Sequence, residues 1–331
     1  MPRSILGAEL IAEPSGPADL SHVDPELRAA ALQVLSEPSA PMTRANLAAI
    51  RALWVPPPLL QAPEVRLLTV PGRRGDPGVP VELIGAAPKG QLRPAILHIH
   101  GGGFVSGRAR NLTAFCQQLA SEFDCVVVNV DYRLAPETPY PGPVEDNYAA
   151  LAWLHREAPR LGVDPARIVV MGESAGGGHA AILTLLARDR GEIPVRGQIL
   201  LYPMLDDRTG ATRMPPPHVG TIGWNAAANR FGWESFLGGE AGGARAPAGA
   251  SPARVADLSR LPPTFIGVGD IDLFVEENFD FARRLVLAGV PTELVVVPGA
   301  FHAFDFVAPE ARVSRDFTRA WKAALKTAFT A

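Results

Sequence analysis

Cysteine is nearly missing from this chain: Cys116 and Cys125 are the only two in 331 residues. Disulfide scaffolds are short and cysteine-rich, so this pair reads as two small buried hydrophobes in a reducing cytoplasm. Metal ligands are not gathered either. Zinc needs three or four groups close together, and the seven histidines are scattered, so no metal is expected. No apolar run approaches the ~18 residues of a membrane span, and no membrane anchor is expected. The N-terminal stretch MPRSILGAELIAEPSGPADL breaks its short apolar run with an acid and offers no small-residue cleavage site, unlike a secretory signal. An excess of positive charge is also lacking. Thirty-one Lys and Arg face 34 Asp and Glu, so no field gathers nucleic acid or an anionic membrane. There is no internal repeat. The 47% of apolar residues is enough for a large core.

Two helix signatures open the chain. DPELRAAALQVLSE has Asp24 as N-cap and Pro25 at the first helical position, with Leu27, Ala31, Val34 and Leu35 as its apolar stripe. TRANLAAIRALW has Thr43 as cap and Leu47, Ile50 and Trp54 as stripe, and the prolines at 56–58 end it. From about residue 64 short apolar runs alternate with helical patterns: VRLLTV, VELIGA, PAILHIH, CVVVNV, RIVVMG, GQILLY, TFIGVG and ELVVVP. Several are apolar on both faces, as in the middle of a parallel sheet covered by helices on each side. The expectation is an α/β fold of about eight mostly parallel strands. Residues 204–235, with Pro, Trp and Phe, interrupt the alternation and are expected to lie over the top of the sheet. GGEAGGARAPAGA reads as a connector.

The chemistry gathers at strand ends. MGESAGGG follows RIVV and precedes the apolar helix HAAILTLLA. It contains a G-x-S-x-G at 172–176. In a chain with 32 glycines that match alone is weak, but a strand-to-helix context is what a nucleophile elbow requires. The turn is sharp, side chains at its flanks would collide, and Ser174 is held out at a helix N-terminus. HGGGF follows PAILHI. Acyl transfer places negative charge on an oxygen that needs bare N–H donors, and glycine lets it approach. Gly102 and Gly103 offer two donors and Ala175 a third. The spacing of a dinucleotide-binding glycine loop is missing. An acid and a histidine should follow in that order. VGDIDLFVEEN offers Asp270, Asp272, Glu276 and Glu277. PGAFHAFDF offers His302. His100 is expected to brace the glycine loop, and His98 and His179 to be structural. His22, His155 and His218 lie in no motif. Met42, Trp54, Trp224 and Phe231 could line a pocket or simply pack between layers.

Taken together, HGGGF, GESAGGG, GDIDLFVEEN and PGAFHAFD resemble the hormone-sensitive lipase family of α/β-hydrolase esterases, from about residue 60 to the C-terminus. The resemblance implies an α/β-hydrolase core over 61–203 and 236–331. It implies a helical cap from residues 1–60 and the insertion 204–235. It puts the nucleophile on Ser174, the base on His302 and the oxyanion donors on Gly102, Gly103 and Ala175. The family's D-P-L-x-D-E pattern falls on DLFVEE and selects Asp272 over Asp270. Glu173 stands where aspartate is commoner, and Ala303 where glycine is frequent. The implied activity is hydrolysis of short-acyl esters through an acyl-serine, without a cofactor; homodimers formed through the last strand are frequent in the family. An amidase or arylacetamide deacetylase would use the same triad. A ligand-binding protein on the same scaffold would have lost the histidine, which is present here.

Overall fold

The computed structural model describes residues 19–36, 40–73, 75–86, 92–244 and 246–330. The expectations for the N-terminal stretch, and that part of the cap segment, lie outside the described residues.

Eight strands form one sheet: β1 (Val65–Val70), β2 (Val79–Ile84), β3 (Arg93–Ile99), β4 (Val126–Val130), β5 (Val163–Glu173), β6 (Gly197–Leu201), β7 (Thr264–Gly269) and β8 (Thr292–Val297). Their spatial order is β1-β2-β4-β3-β5-β6-β7-β8. The pairs β1/β2 and β2/β4 are antiparallel and all others are parallel. Every residue of β3, β4, β6 and β7 is buried, which is why these segments are apolar on both faces. The edge strands β1 and β8 are largely open to solvent instead.

Nine helices accompany the strands among the described residues: α1 (Arg28–Ser36), α2 (Leu47–Ala52), α3 (Thr113–Glu122), α4 (Gly142–Leu161), α5 (Ala175–Arg190), α6 (Ala226–Leu237), α7 (Val275–Leu287), α8 (Phe304–Val307) and α9 (Arg312–Thr330). Tyr148, Leu151 and Leu154 of α4, Ala180 and Leu183 of α5 and Phe281 and Leu285 of α7 fill one face of the sheet. Leu119 of α3, Trp321 and Leu325 of α9 and Ala31 of α1 fill the other. A third cluster lies above the strand ends, where Trp233 and Phe236 of α6 meet Leu47 of α2 and Phe104. No helix is long and apolar enough to cross a membrane, among the described residues.

Local expectations were met in part. The Asp24 carboxylate accepts the N–H of Glu26 at 2.8 Å, as a cap should. Leu35 and Trp54, however, are both 42% exposed rather than packed. The second helix begins at Leu47, not beside Thr43. The Asn46 side-chain oxygen accepts from the Thr43 N–H at 2.8 Å and from its hydroxyl at 3.0 Å, holding the intervening residues in a turn that competes with helix. Helix α6 also runs past residue 235, the expected end of the insertion.

Candidate active site

The end of β5 and the start of α5 leave one residue between them. Ser174 occupies that position at φ 55° and ψ −122°, a conformation that L-residues avoid. The flanking glycines make it possible. A Cβ on Gly172 would lie 2.3 Å from the carbonyl oxygen of Gly176, and one on Gly176 would lie 2.0 Å from that of Ile99. The turn is pinned by the Ser174 N–H, which donates to Leu201 O at 2.9 Å, and by the Ser174 carbonyl, which accepts from Gly178 and Met204 at 3.0 Å each.

Ser174 Oγ lies 2.9 Å from His302 Nε2, and His302 Nδ1 lies 2.8 Å from Asp272 Oδ2. Asp272 is 1% exposed, and its other oxygen accepts the Phe274 N–H at 2.9 Å. With one oxygen held by that amide, the carboxylate presents the second to the imidazole. Asp270 is exposed and does not reach His302; its Oδ1 accepts the Gly299 N–H at 2.6 Å. Glu277 lies elsewhere, accepting the N–H of Leu205 at 2.6 Å. The structure therefore brings Ser174, His302 and Asp272 together and leaves Asp270 and Glu277 out.

The glycine loop lies against the elbow: a Cβ on Gly101 would come within 3.4 Å of Ser174 Cβ. Gly102 and Gly103 have φ of 120° and 61°. The Gly102 carbonyl accepts from Val105, Ser106 and the Ser106 hydroxyl, which winds the loop tight. A Cβ on Gly102 would stand 2.1 Å from Ser106 O. Among the described residues nothing accepts from the N–H of Gly102 or Gly103. Ala175 is the first residue of α5, so its N–H has no intrahelical acceptor. His100 contacts the loop through Nδ1, 2.8 Å from Gly101 O, and burial pushes its pKa down to about 4, which keeps the ring neutral.

Sequence reasoning missed the walls around His302. Tyr202 and Phe274 stand edge-on to its ring, with centroids at 5.0 and 5.2 Å. The Tyr202 hydroxyl donates to Asp305 at 3.1 Å. Burial pushes the Asp305 carboxyl up to about 7. Nothing in the local pattern marks Tyr202. Of the four candidate pocket walls, Trp224 reaches the site: a Cβ on Gly103 would fall 2.2 Å from its indole. Gly223, one residue earlier, sits over the His302 carbonyl. Met42 and Phe231 are half-buried in the layer above the strand ends.

A family model described as alpha/beta hydrolase fold matches residues 96–306. This span carries the glycine loop, the elbow, the acid and the histidine. The chain is an α/β-hydrolase of the hormone-sensitive lipase family. It is similar to the carboxylesterase NlhH of Mycobacterium tuberculosis, with 34% identity over 293 residues that cover 86% of this chain and 89% of that one. It also resembles ethyl acetate hydrolase of Pseudomonas putida, at 32% identity over 63% of this chain and 65% of the relative. Among solved structures, a bacterial heroin esterase superposes with a TM-score of 0.82 and 37% identity, covering 94% of this chain and 99% of that one. The eight-strand sheet and the four strand-end motifs of this α/β-hydrolase are thus those expected from its sequence.

Proposed function

We propose that this α/β-hydrolase is a serine carboxylesterase for esters with short acyl groups. The observation that carries the reading is the unbroken chain Ser174 Oγ, His302 Nε2, His302 Nδ1, Asp272 Oδ2, with links of 2.9 and 2.8 Å. His302 takes the hydroxyl proton as Ser174 Oγ bonds to the ester carbonyl carbon. Asp272 holds the ring in the tautomer that leaves Nε2 free and stabilises the imidazolium that results. The carbonyl oxygen gains the negative charge and is held by the N–H groups of Gly102, Gly103 and Ala175. One such donor is worth about 2.7–4 kcal/mol in the transition state. The alcohol departs with the proton from His302. Water then gives a proton to the same nitrogen, attacks the acyl carbon and releases the acid, returning the proton to Ser174.

Short acyl groups are favoured by the space above the site. Ser174 and His302 are 8% and 9% exposed, and the Trp224 indole presses on Gly103. The names of two relatives, one acting on ethyl acetate and one on heroin, agree with acetyl esters. We assign residues 40–60 and 204–235 to a cap over a core of 61–203 and 236–331, with α1 packed on the sheet face beside α3 and α9. Support comes from the packing of Leu47 and Trp233 on the glycine loop. The unpaired edge of β8 supports a homodimer. Two buried free cysteines support a cytoplasmic setting.

The test is turnover of p-nitrophenyl esters of graded acyl length, with a burst of p-nitrophenol equal to the enzyme present. Ser174→Ala should lower turnover by about four orders of magnitude or more. Near-normal rates in that variant would end the assignment. Matched amides measure the deacetylase alternative, which faster amide than ester cleavage would favour.

A further inference from the structure

The residue before Ser174 carries a buried acid that the ester chemistry above does not use. Glu173 is 4% exposed, and its Oε1 lies 2.9 Å from Nε2 of the fully buried His98 on β3. The chain of contacts continues across the sheet. His98 Nδ1 lies 2.9 Å from Asn129 Oδ1 on β4. The Asn129 amide nitrogen donates to Ala109 O at 2.8 Å and to Glu82 Oε2 of β2 at 3.0 Å. The Thr113 hydroxyl also donates to Glu82, at 2.6 Å, and Arg110 stands 3.9 Å from it at the surface.

Hydrogen counting along this chain leaves little freedom. Ala109 O only accepts, so the Asn129 nitrogen must face it and Oδ1 must face His98. An amide oxygen only accepts, so His98 Nδ1 carries a hydrogen. The remaining ring nitrogen meets a carboxylate oxygen at hydrogen-bond distance. A neutral ring would set a lone pair against an anion there, in the interior, where such a mismatch is costly. One further proton must sit between them.

We propose that His98 is an imidazolium paired with the Glu173 carboxylate, and that this buried proton keeps the nucleophile elbow free of uncompensated negative charge while the oxyanion forms. The pair itself follows from the contacts; only its kinetic consequence rests on the esterase reading. His98 and Glu173 are positioning residues, since neither touches the reacting atoms. The groups facing the ring agree with a cation. Glu173 comes from the end of β5, Glu82 lies behind Asn129 on β2, and Cys116 and the edge of Phe115 come from α3. Burial alone would push the imidazole down, and the charge and hydrogen bond of Glu173 work against that. The Cys116 thiol is itself pushed up by burial and stays neutral, which leaves Glu173 as the countercharge. The nearby His100 is neutral and does not compete for that role. Glu173 Oε2 has no partner among the described residues, so His98 alone balances the acid directly. The same geometry accounts for glutamate where the family more often has aspartate: the longer side chain spans the distance to His98.

Histidine-ring 15N NMR of the labelled wild-type enzyme tests the pair without any variant. One doubly protonated imidazole should persist at pH 8.5, well above the ordinary histidine value of about 6.5, and should vanish in Glu173→Gln. Only neutral rings at that pH would overturn the proposal. Kinetics test the consequence. His98→Leu leaves Glu173 unbalanced, so kcat at pH 7.5 should fall on the order of 10- to 30-fold with KM little changed. His98→Leu/Glu173→Gln removes the charge as well and should regain most of the loss. A double variant as slow as His98→Leu would mean that the pair only packs. An intact imidazolium in an enzyme that releases no p-nitrophenol would instead refute the esterase reading and leave the pair standing.

Discussion

Asp270 Oδ1 accepts the N–H of Gly299 at 2.6 Å, tying the loop after β7 to the loop after β8. Two residues later Asp272 holds His302 from within the same loop. The first carboxylate brackets the site and the second enters it. Asp272→Asn should therefore lower kcat by about 10⁴, because an amide can favour the wrong tautomer of the imidazole. Asp270→Asn should cost less than about tenfold and show mainly as a lower melting temperature, since a neutral acceptor still serves the Gly299 N–H. Equal losses in the two variants would break the assignment of the acid.

Trp224 stands beside the glycine loop. Its indole lies against Gly103, and its Nε1 donates to Asn229 at 3.1 Å, which fixes the ring. Trp224→Ala should move the preferred p-nitrophenyl ester toward longer acyl chains, with a fall in kcat/KM for acetate. An unchanged chain-length profile would remove Trp224 from the acyl pocket.

Arg51 joins the N-terminal helix α2 to the glycine loop. It donates to Val105 O at 2.7 Å and to Ala135 O at 3.0 Å, and pairs with Glu137 at 2.7 Å. Arg51→Ala leaves two carbonyls without that donor and should cost about 1–3 kcal/mol in urea unfolding. Arg51→Lys should recover only part of this, because one ammonium cannot reproduce the planar fork.

His179 carries an acid-lability signature. It is fully buried on α5 between Phe104, Tyr132 and Phe236, and neither ring nitrogen has a partner among the described residues. Burial lowers its pKa to about 3. The unfolded chain therefore binds a proton at this residue that the folded chain refuses, between about pH 6.5 and 3. The folded state loses stability from this source as the pH falls through that window. His179→Leu should raise the melting temperature more at pH 5 than at pH 8. An equal shift at both would show that packing, not protonation, sets the difference.

What the sequence by itself determined is the scaffold and the parts list. Buried parallel strands must be apolar on both faces, so the inner strands were legible as runs such as PAILHIH and TFIGVG. A one-residue elbow needs small flanks and an oxyanion loop needs bare amides, so Gly172, Gly176 and the glycines at 101–103 marked Ser174 and its surroundings. These are short-range requirements, and short-range requirements leave a local trace. Only the tertiary structure decided which side chains meet across strands. Tyr202 and Phe274 reach His302 from two other loops, Trp224 reaches Gly103 across the insertion, and Glu173 reaches His98 on the neighbouring strand. Each such contact depends on the register and twist of separate segments and on where a loop returns. No window of sequence contains both partners, and so no local pattern could announce the pair.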